Sequence, residues 1–173
     1  VIGLRWEDVD FDQGTIAIRK QLQVINGQPT FTEPKSKMSR RTIPLPPTVM
    51  DLLRQHRRQQ LEERMRAGER WQAQWGLVFC RSTGTPLDNS NLRKHFKRKL
   101  EGAGLPPMRF HDMRHSAASM LAARGVHPSV AQRILGHANI NTTLAVYTHV
   151  EDAMMRQATD LMGDLYETEM EAN

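Results

Sequence analysis

The chain has 173 residues, 39% of them hydrophobic, a mean hydropathy of −0.58 and a formal net charge of +5. That length is enough for a buried core, and no run approaches the roughly 20 apolar residues of a membrane helix, so a membrane partner is not expected. A single cysteine, Cys80, excludes an internal disulfide and a cysteine-rich zinc site, which makes a reducing cytoplasm the expected compartment.

Residues 1–8 are expected to be the end of a helix followed by a turn. Val1-Ile2-Gly3-Leu4 runs straight into Arg5-Trp6-Glu7-Asp8, without signal-peptide character and without an initiator Met, so a longer parent protein is expected. Thr15 to Arg19 alternates at strand period. Gln21 to Ile25 stays extended up to Asn26-Gly27, a strong hairpin signal. Phe31 opens a return strand, and Arg41-Thr42-Ile43-Pro44-Leu45 is a further extended piece. These segments predict one small antiparallel sheet, with Lys35 to Arg40 as a basic connection between two strands.

Beyond Pro46-Pro47, apolar residues at Val49, Leu52, Leu53, His56, Leu61 and Met65 predict a long amphipathic helix with Arg54, Arg57 and Arg58 on its polar side. Trp75 to Cys80 is a short apolar run, read as a buried strand or extended segment, and Ser82 to Pro86 as a turn. Asp88-Asn89-Ser90 offers N-caps for a basic helix containing Leu92, Phe96 and Leu100. From residue 111 onward the pattern is helical. Met113, Ala117, Met120 and Leu121 mark one face of a helix ended by Gly125. Ser129 caps a short helix closed by Gly136, and another begins at Thr142. A last amphipathic stretch carries Met154, Met155, Ala158, Leu161, Met162 and Leu165. The predicted class is α+β, mainly helical, with a small antiparallel sheet against a helical bundle.

Charge is unevenly spread. Residues 35–58 carry a net +6 and residues 151–173 a net −6, which leaves +11 on the body without that tail. A basic body suits a polyanion, nucleic acid first among them, although a solvated charged surface accounts equally well for the composition alone.

Three clusters bear chemistry. In His111-Asp112-Met113-Arg114-His115, a helix would put His111 and Arg114 on one face, able to grip a phosphate through a charge-assisted fork and a titratable ring. In the second, Leu135-Gly136-His137 is followed ten residues after the histidine by Tyr147, within Thr142 to His149. Taken as a pair, they read better as a helix cap and a packed tyrosine with its hydroxyl satisfied. The third, Leu4-Arg5-Trp6-Glu7-Asp8, reads alone as a surface arginine beside an aromatic.

In this order, Arg5, the basic hairpin, His111-x-x-Arg114, His137 and Tyr147 resemble the tyrosine recombinase (phage integrase) family over roughly residues 1–150. The most specific block is Phe110 through Ala118, then Leu135-Gly136-His137-Ala138, then Thr143 through His149. The resemblance implies a catalytic domain at 1–150, with residues 151–173 as an acidic amphipathic tail of the same domain and the family's N-terminal DNA-clamping domain absent. It implies a site-specific recombinase or integrase of phage or mobile-element type in a bacterial host, acting on double-stranded DNA. The fragment is then expected to be a monomer that binds DNA weakly, and the full-length protein a homotetramer on DNA.

By the same resemblance Tyr147 is the nucleophile, forming a 3′-phosphotyrosine without metal, nucleotide or other cofactor. Arg5 and Arg114 hold the phosphate oxygens, His111 handles the nucleophile's proton and His137 donates to the phosphate. Asp8 and His115 support the cluster, as does His149. The leaving-group acid is a hairpin lysine, Lys35 by the Pro34-Lys35-Ser36 entry, with Lys37 as the alternative. Lys37, Arg40, Arg41, Arg93, Lys94 and Lys97 are candidate DNA contacts, and Tyr166, in an acidic stretch, is the rival tyrosine. The tail is expected to pack on its own domain in solution, although the family also allows docking on a neighbouring protomer. Competing readings are a type IB topoisomerase, a catalytically inactive DNA-binding regulator, and a metal site of His111, His115 and His137.

Overall fold

Alternation and turn chemistry shape the first third of the chain. In the computed structural model, which describes residues 2–34 and 39–148 together with Met155 and Thr159, β1 (Val9–Asp10) pairs antiparallel with β2 (Thr15–Ile18). β2 in turn pairs with β5 (Arg41–Pro44), Ile16 opposite Ile43. The intervening β3 (Gln21–Ile25) and β4 (Gln28–Thr32) form a separate hairpin. Its two-residue turn is Asn26-Gly27, both at positive φ (49° and 77°), the conformation that matches strand twist and selects this dipeptide.

The single sheet expected from the sequence is therefore two among the described residues, β1-β2-β5 and β3-β4. The β2–β5 ladder ends at Ile18–Arg41 and the hairpin ladder starts at Gln21–Thr32, so Arg19-Lys20 separates them. The return strand also starts earlier than Phe31, because Pro29 is tolerated on the edge of a two-stranded ribbon.

The helix end expected at residues 1–8 is instead one 3-10 turn, Trp6–Asp8. Arg5 itself is extended and bridges antiparallel to Leu77. Around that bridge Trp6 N donates to the Gly76 carbonyl and Val78 N to the Leu4 carbonyl, each at 2.9 Å. The chain can double back there because Gly76 takes the left-handed conformation (φ 55°) that a side chain disfavours. Leu77 and Val78 are buried as the apolar run predicted.

Helix α1 spans Pro47–Ala67, with Pro47 in its first turn, where its missing N–H costs nothing. Of the predicted face Leu53 is buried, together with Met50 and Gln60, whereas Val49, Leu52, Leu61 and Met65 are exposed. The face is set by Val9 and Val78, which join Met50 and Leu53 in one core with Trp6, Phe11 and Phe79 packed around it. Helix α2 (Asn89–Gly102) starts as expected, with the Asp88 carboxylate accepting from Asn91 N at 2.9 Å.

This first compact unit ends at Met108 and a second begins at Arg109. In the second, α3 (Asp112–Ala123), α4 (Pro128–Leu135) and α5 (Ile140–Tyr147) pack on one another. The predicted face of α3 is corrected: Met113 and Met120 are exposed, whereas Ala118 and Ala122 are fully buried. Small side chains let the helices approach, and Ala122, Ala131 and Tyr147 form the core beside Leu121. The cap of α4 is His127 rather than Ser129, its Nδ1 accepting from Ser129 N at 3.3 Å. Helix α5 begins two residues before Thr142 because Asn139 caps it through Asn141 N. Of the predicted last stretch only Met155 is described; it is helical and exposed. Met154, Ala158, Leu161, Met162 and Leu165 lie outside the described residues.

Ala122→Leu is expected to destabilise the fold by about 1–3 kcal/mol, since a filled site must shift neighbours to admit three more carbons. Denaturant titration checks this, and an unchanged midpoint would show that the α3–α4–α5 core has room to spare.

Candidate active site

In the first unit the Arg5 side chain is part-buried and held from several sides. Its Nε donates to the Trp75 carbonyl at 3.3 Å, Nη1 pairs with the Glu7 carboxylate, and the guanidinium lies 5.3 Å from the Phe31 ring centroid. A planar cation so held on several sides keeps a defined direction. Glu7, unremarked in the sequence, is its acidic neighbour. Asp8 is buried but faces Arg19 at 3.6 Å, and its Oδ1 has no hydrogen-bond partner.

Burial pushes the Asp8 carboxyl above the usual carboxylate range, with Arg19 partly offsetting it. Folding therefore favours the protonated form. Between the ordinary value of about 3.9 and the raised one, the native state binds more protons than the unfolded state. Stability is thus greatest below that window and falls as pH rises through it. Asp8→Asn is expected to remove this slope, so its urea midpoint should gain on that of the parent as pH rises from acid towards neutrality. A difference that stays constant over that range would rule out the carboxyl as its source.

Lys35 and Lys37 lie outside the described residues, as do His149 and Tyr166. Of the remaining basic candidates, Arg40 pairs with Glu33, and Arg41 Nη1 donates to the Ser39 carbonyl at 3.2 Å. Arg93, Lys94 and Lys97 are exposed on α2. Lys94 and Lys97 line an open cleft of about 870 Å³ with Arg81, Arg98 and the carboxylates Asp88 and Glu101, so cations outnumber acids there by four to two.

The second unit holds the other four described catalytic candidates and the supporting His115. His111 is the N-cap of α3, in helical conformation, and Arg114 N donates to its carbonyl at 3.0 Å. His111 and His115 meet edge to face with centroids 5.7 Å apart. Arg114 reaches from α3 to the end of α4, where Nη2 donates to the Leu135 carbonyl. Burial lowers its pKa, but a guanidinium stays charged at any working pH. Gly136 ends α4 at φ 71°, with its N–H on the Gln132 carbonyl at 2.7 Å. That left-handed cap swings His137 inward, where it is buried and its Nδ1 meets Thr143 Oγ1 at 2.9 Å. Arg114 thus contacts a residue two positions from His137.

Tyr147 packs with Ala122 and Ala131 at 7% exposure, its hydroxyl donating to the Val126 carbonyl at 2.6 Å. Burial pushes the phenol up from its ordinary pKa, so in this position it resists ionisation. The packed tyrosine with a satisfied hydroxyl is what the fold presents; Val126 as its acceptor carries no sequence signal. Among the described residues no three His, Cys, Asp or Glu side chains converge as metal ligands, so His111, His115 and His137 are not brought together as a donor set. No helix among the described residues is long and apolar enough to cross a membrane.

A sequence profile of the Phage integrase family matches residues 1–154. A "Tyrosine recombinase XerC-like" protein of Caldanaerobacter subterraneus subsp. tengcongensis is 35% identical over 177 residues, covering 96% of this chain and 45% of its own length. The chain thus spans less than half of that relative. Among solved structures, the Tn1549 transposon integrase in complex with transposon right end DNA superposes with a TM-score of 0.72 at 24% identity, over 90% of this chain and 52% of that one. XerH site-specific recombinase bound to palindromic difH substrate does so with a TM-score of 0.62 at 25% identity, over 94% of this chain and 40% of that one.

Proposed function

The chain belongs to the phage integrase family, and from that premise we propose that it is the catalytic part of a site-specific DNA recombinase in which Tyr147 is the nucleophile. The observation that carries this reading is the α3–α4–α5 unit. It places the Arg114 guanidinium on the Leu135 carbonyl, beside the turn that delivers His137, and packs Tyr147 against Ala122 and Ala131 of the same helices.

The phenol oxygen of Tyr147 attacks the scissile phosphate. A bond from phosphorus to tyrosine forms and the bond to the 5′ oxygen breaks, leaving a 3′-phosphotyrosine and a free 5′-hydroxyl. Arg5 and Arg114 hold the non-bridging oxygens as charge builds on them. His111 takes the phenol proton, His137 donates to the phosphate, and Lys35, or Lys37, protonates the leaving oxygen. Attack by a 5′-hydroxyl of another strand reverses the sequence and releases the tyrosine. The phosphodiester energy is conserved in the intermediate, so rejoining calls for no nucleotide hydrolysis. Reaching the phosphate requires Tyr147 to exchange the Val126 carbonyl for a partner at the reaction centre.

DNA as substrate is supported by the basic α2 cleft and by the DNA-bound neighbours. We also take the full-length protein to act as a homotetramer on DNA. A nicked suicide substrate, whose cleaved fragment diffuses away, tests the mechanism. The full-length protein is expected to accumulate as a covalent DNA adduct, and absence of an adduct overturns the reading.

A further inference from the structure

We propose that Gln60 is a positioning residue for Arg5, its buried amide tying the Trp6 indole to the Leu77–Val78 segment that together hold the Arg5 backbone. The proposal rests on the reading of Arg5 as a phosphate clamp.

Gln60 sits inside the apolar face of α1 at 7% exposure. An amide is costly to bury unless both its ends are bonded, and here both are. Oε1 accepts from Trp6 Nε1 at 2.6 Å. Nε2 is shared among the Val78 carbonyl at 3.0 Å, Cys80 Sγ at 3.1 Å and the Leu77 carbonyl at 3.3 Å. These partners belong to the two chain segments on either side of Arg5. Trp6 follows it in sequence, and Leu77 is its antiparallel bridge partner.

The surroundings fix the same pieces. The Trp6 ring stacks on Phe11 with centroids 6.2 Å apart and lies tilted to His56 at 5.9 Å, and the Arg57 guanidinium lies 5.4 Å from its centroid. His56, one turn before Gln60, places Nε2 at 2.7 Å from the Val78 carbonyl; a carbonyl only accepts, so that nitrogen carries the proton. The Arg5 guanidinium then extends from this backbone to the Trp75 carbonyl, two residues before the Leu77 that Gln60 grips. A leucine at position 60 would fill the space as well and at less desolvation cost. What the amide adds is direction: two bridged chain segments and one indole held in a single register.

The test is single-turnover cleavage of the nicked substrate by the full-length protein, with saturating DNA, for Gln60→Leu, Trp6→Phe and Arg5→Lys, alone and combined. Gln60→Leu is expected to slow cleavage on the order of 10- to 100-fold, the range for a misplaced catalytic group, with DNA affinity unchanged. Trp6→Phe, which removes the indole donor but keeps a ring, shows a smaller loss in the same direction and carries the test if Gln60→Leu fails to fold. In the Arg5→Lys background neither substitution slows cleavage further. If the losses instead add in full to that of Arg5→Lys, Gln60 serves the fold in general and the proposal falls. It falls too if Arg5→Lys is slow while both other variants cleave at the parental rate. Parental cleavage by Arg5→Lys would remove the clamp reading beneath it.

Discussion

Tyr147→Phe is expected to cut covalent adduct formation by at least about 1000-fold while DNA binding persists, because the substitution removes the attacking oxygen and leaves every cation in place. The same hydroxyl also serves the fold, donating to the Val126 carbonyl inside the Ala122–Ala131 core. Its loss leaves that carbonyl without this donor and should cost about 1–3 kcal/mol in urea titration. The two readouts separate the roles: a packed tyrosine alone predicts the stability loss, whereas a nucleophile predicts both. Adduct formation by the phenylalanine variant at the parental level would remove Tyr147 from the chemistry.

The second large effect is expected at Arg114. Arg114→Lys keeps the charge but should slow cleavage on the order of 100- to 1000-fold, the loss typical of removing one preorganised donor to a developing oxyanion. The guanidinium bonds the Leu135 carbonyl through Nη2 and retains further N–H groups in the same rigid plane for a phosphate. A lysine ammonium on a flexible stem has no such fork, and holding the carbonyl would draw it from the phosphate. Single-turnover rates at saturating DNA, compared with binding affinity, show whether the loss lies in the chemical step. A lysine variant that cleaves at the parental rate would exclude the fork from the clamp.

Local chemistry was legible where one residue type has one use. Asn26-Gly27 is a hairpin turn because few dipeptides accept positive φ twice, Asp88 is a cap because its carboxylate reaches Asn91 N, and Gly136 ends α4 for want of a Cβ. Faces were less legible. On α1 and α3, large apolar residues such as Leu52, Met65, Met113 and Met120 were expected inside and are exposed. Hydrophobicity marks residues that gain from burial, but the opposing surfaces choose which are buried. Val9 and Val78 select Met50 and Leu53, and close helix packing selects Ala122 and Ala131.

The candidate site divides the same way. The order Arg5, His111-x-x-Arg114, His137 and Tyr147 is a property of the sequence, and with it came the family, since a run of reactive residue types at set separations survives any description of the fold. Gln60 was invisible there: a glutamine on a charged helix gives no sign that both ends of its amide will find partners in segments before and after it in the chain. Nor could the sequence tell that Asp8 faces Arg19 while Glu7 pairs with Arg5, or that the Tyr147 hydroxyl rests on Val126. Reactivity belongs to the side chain and can be read from one letter. Direction, burial and choice of partner belong to pairs of atoms distant in the chain, and only packing brings those together.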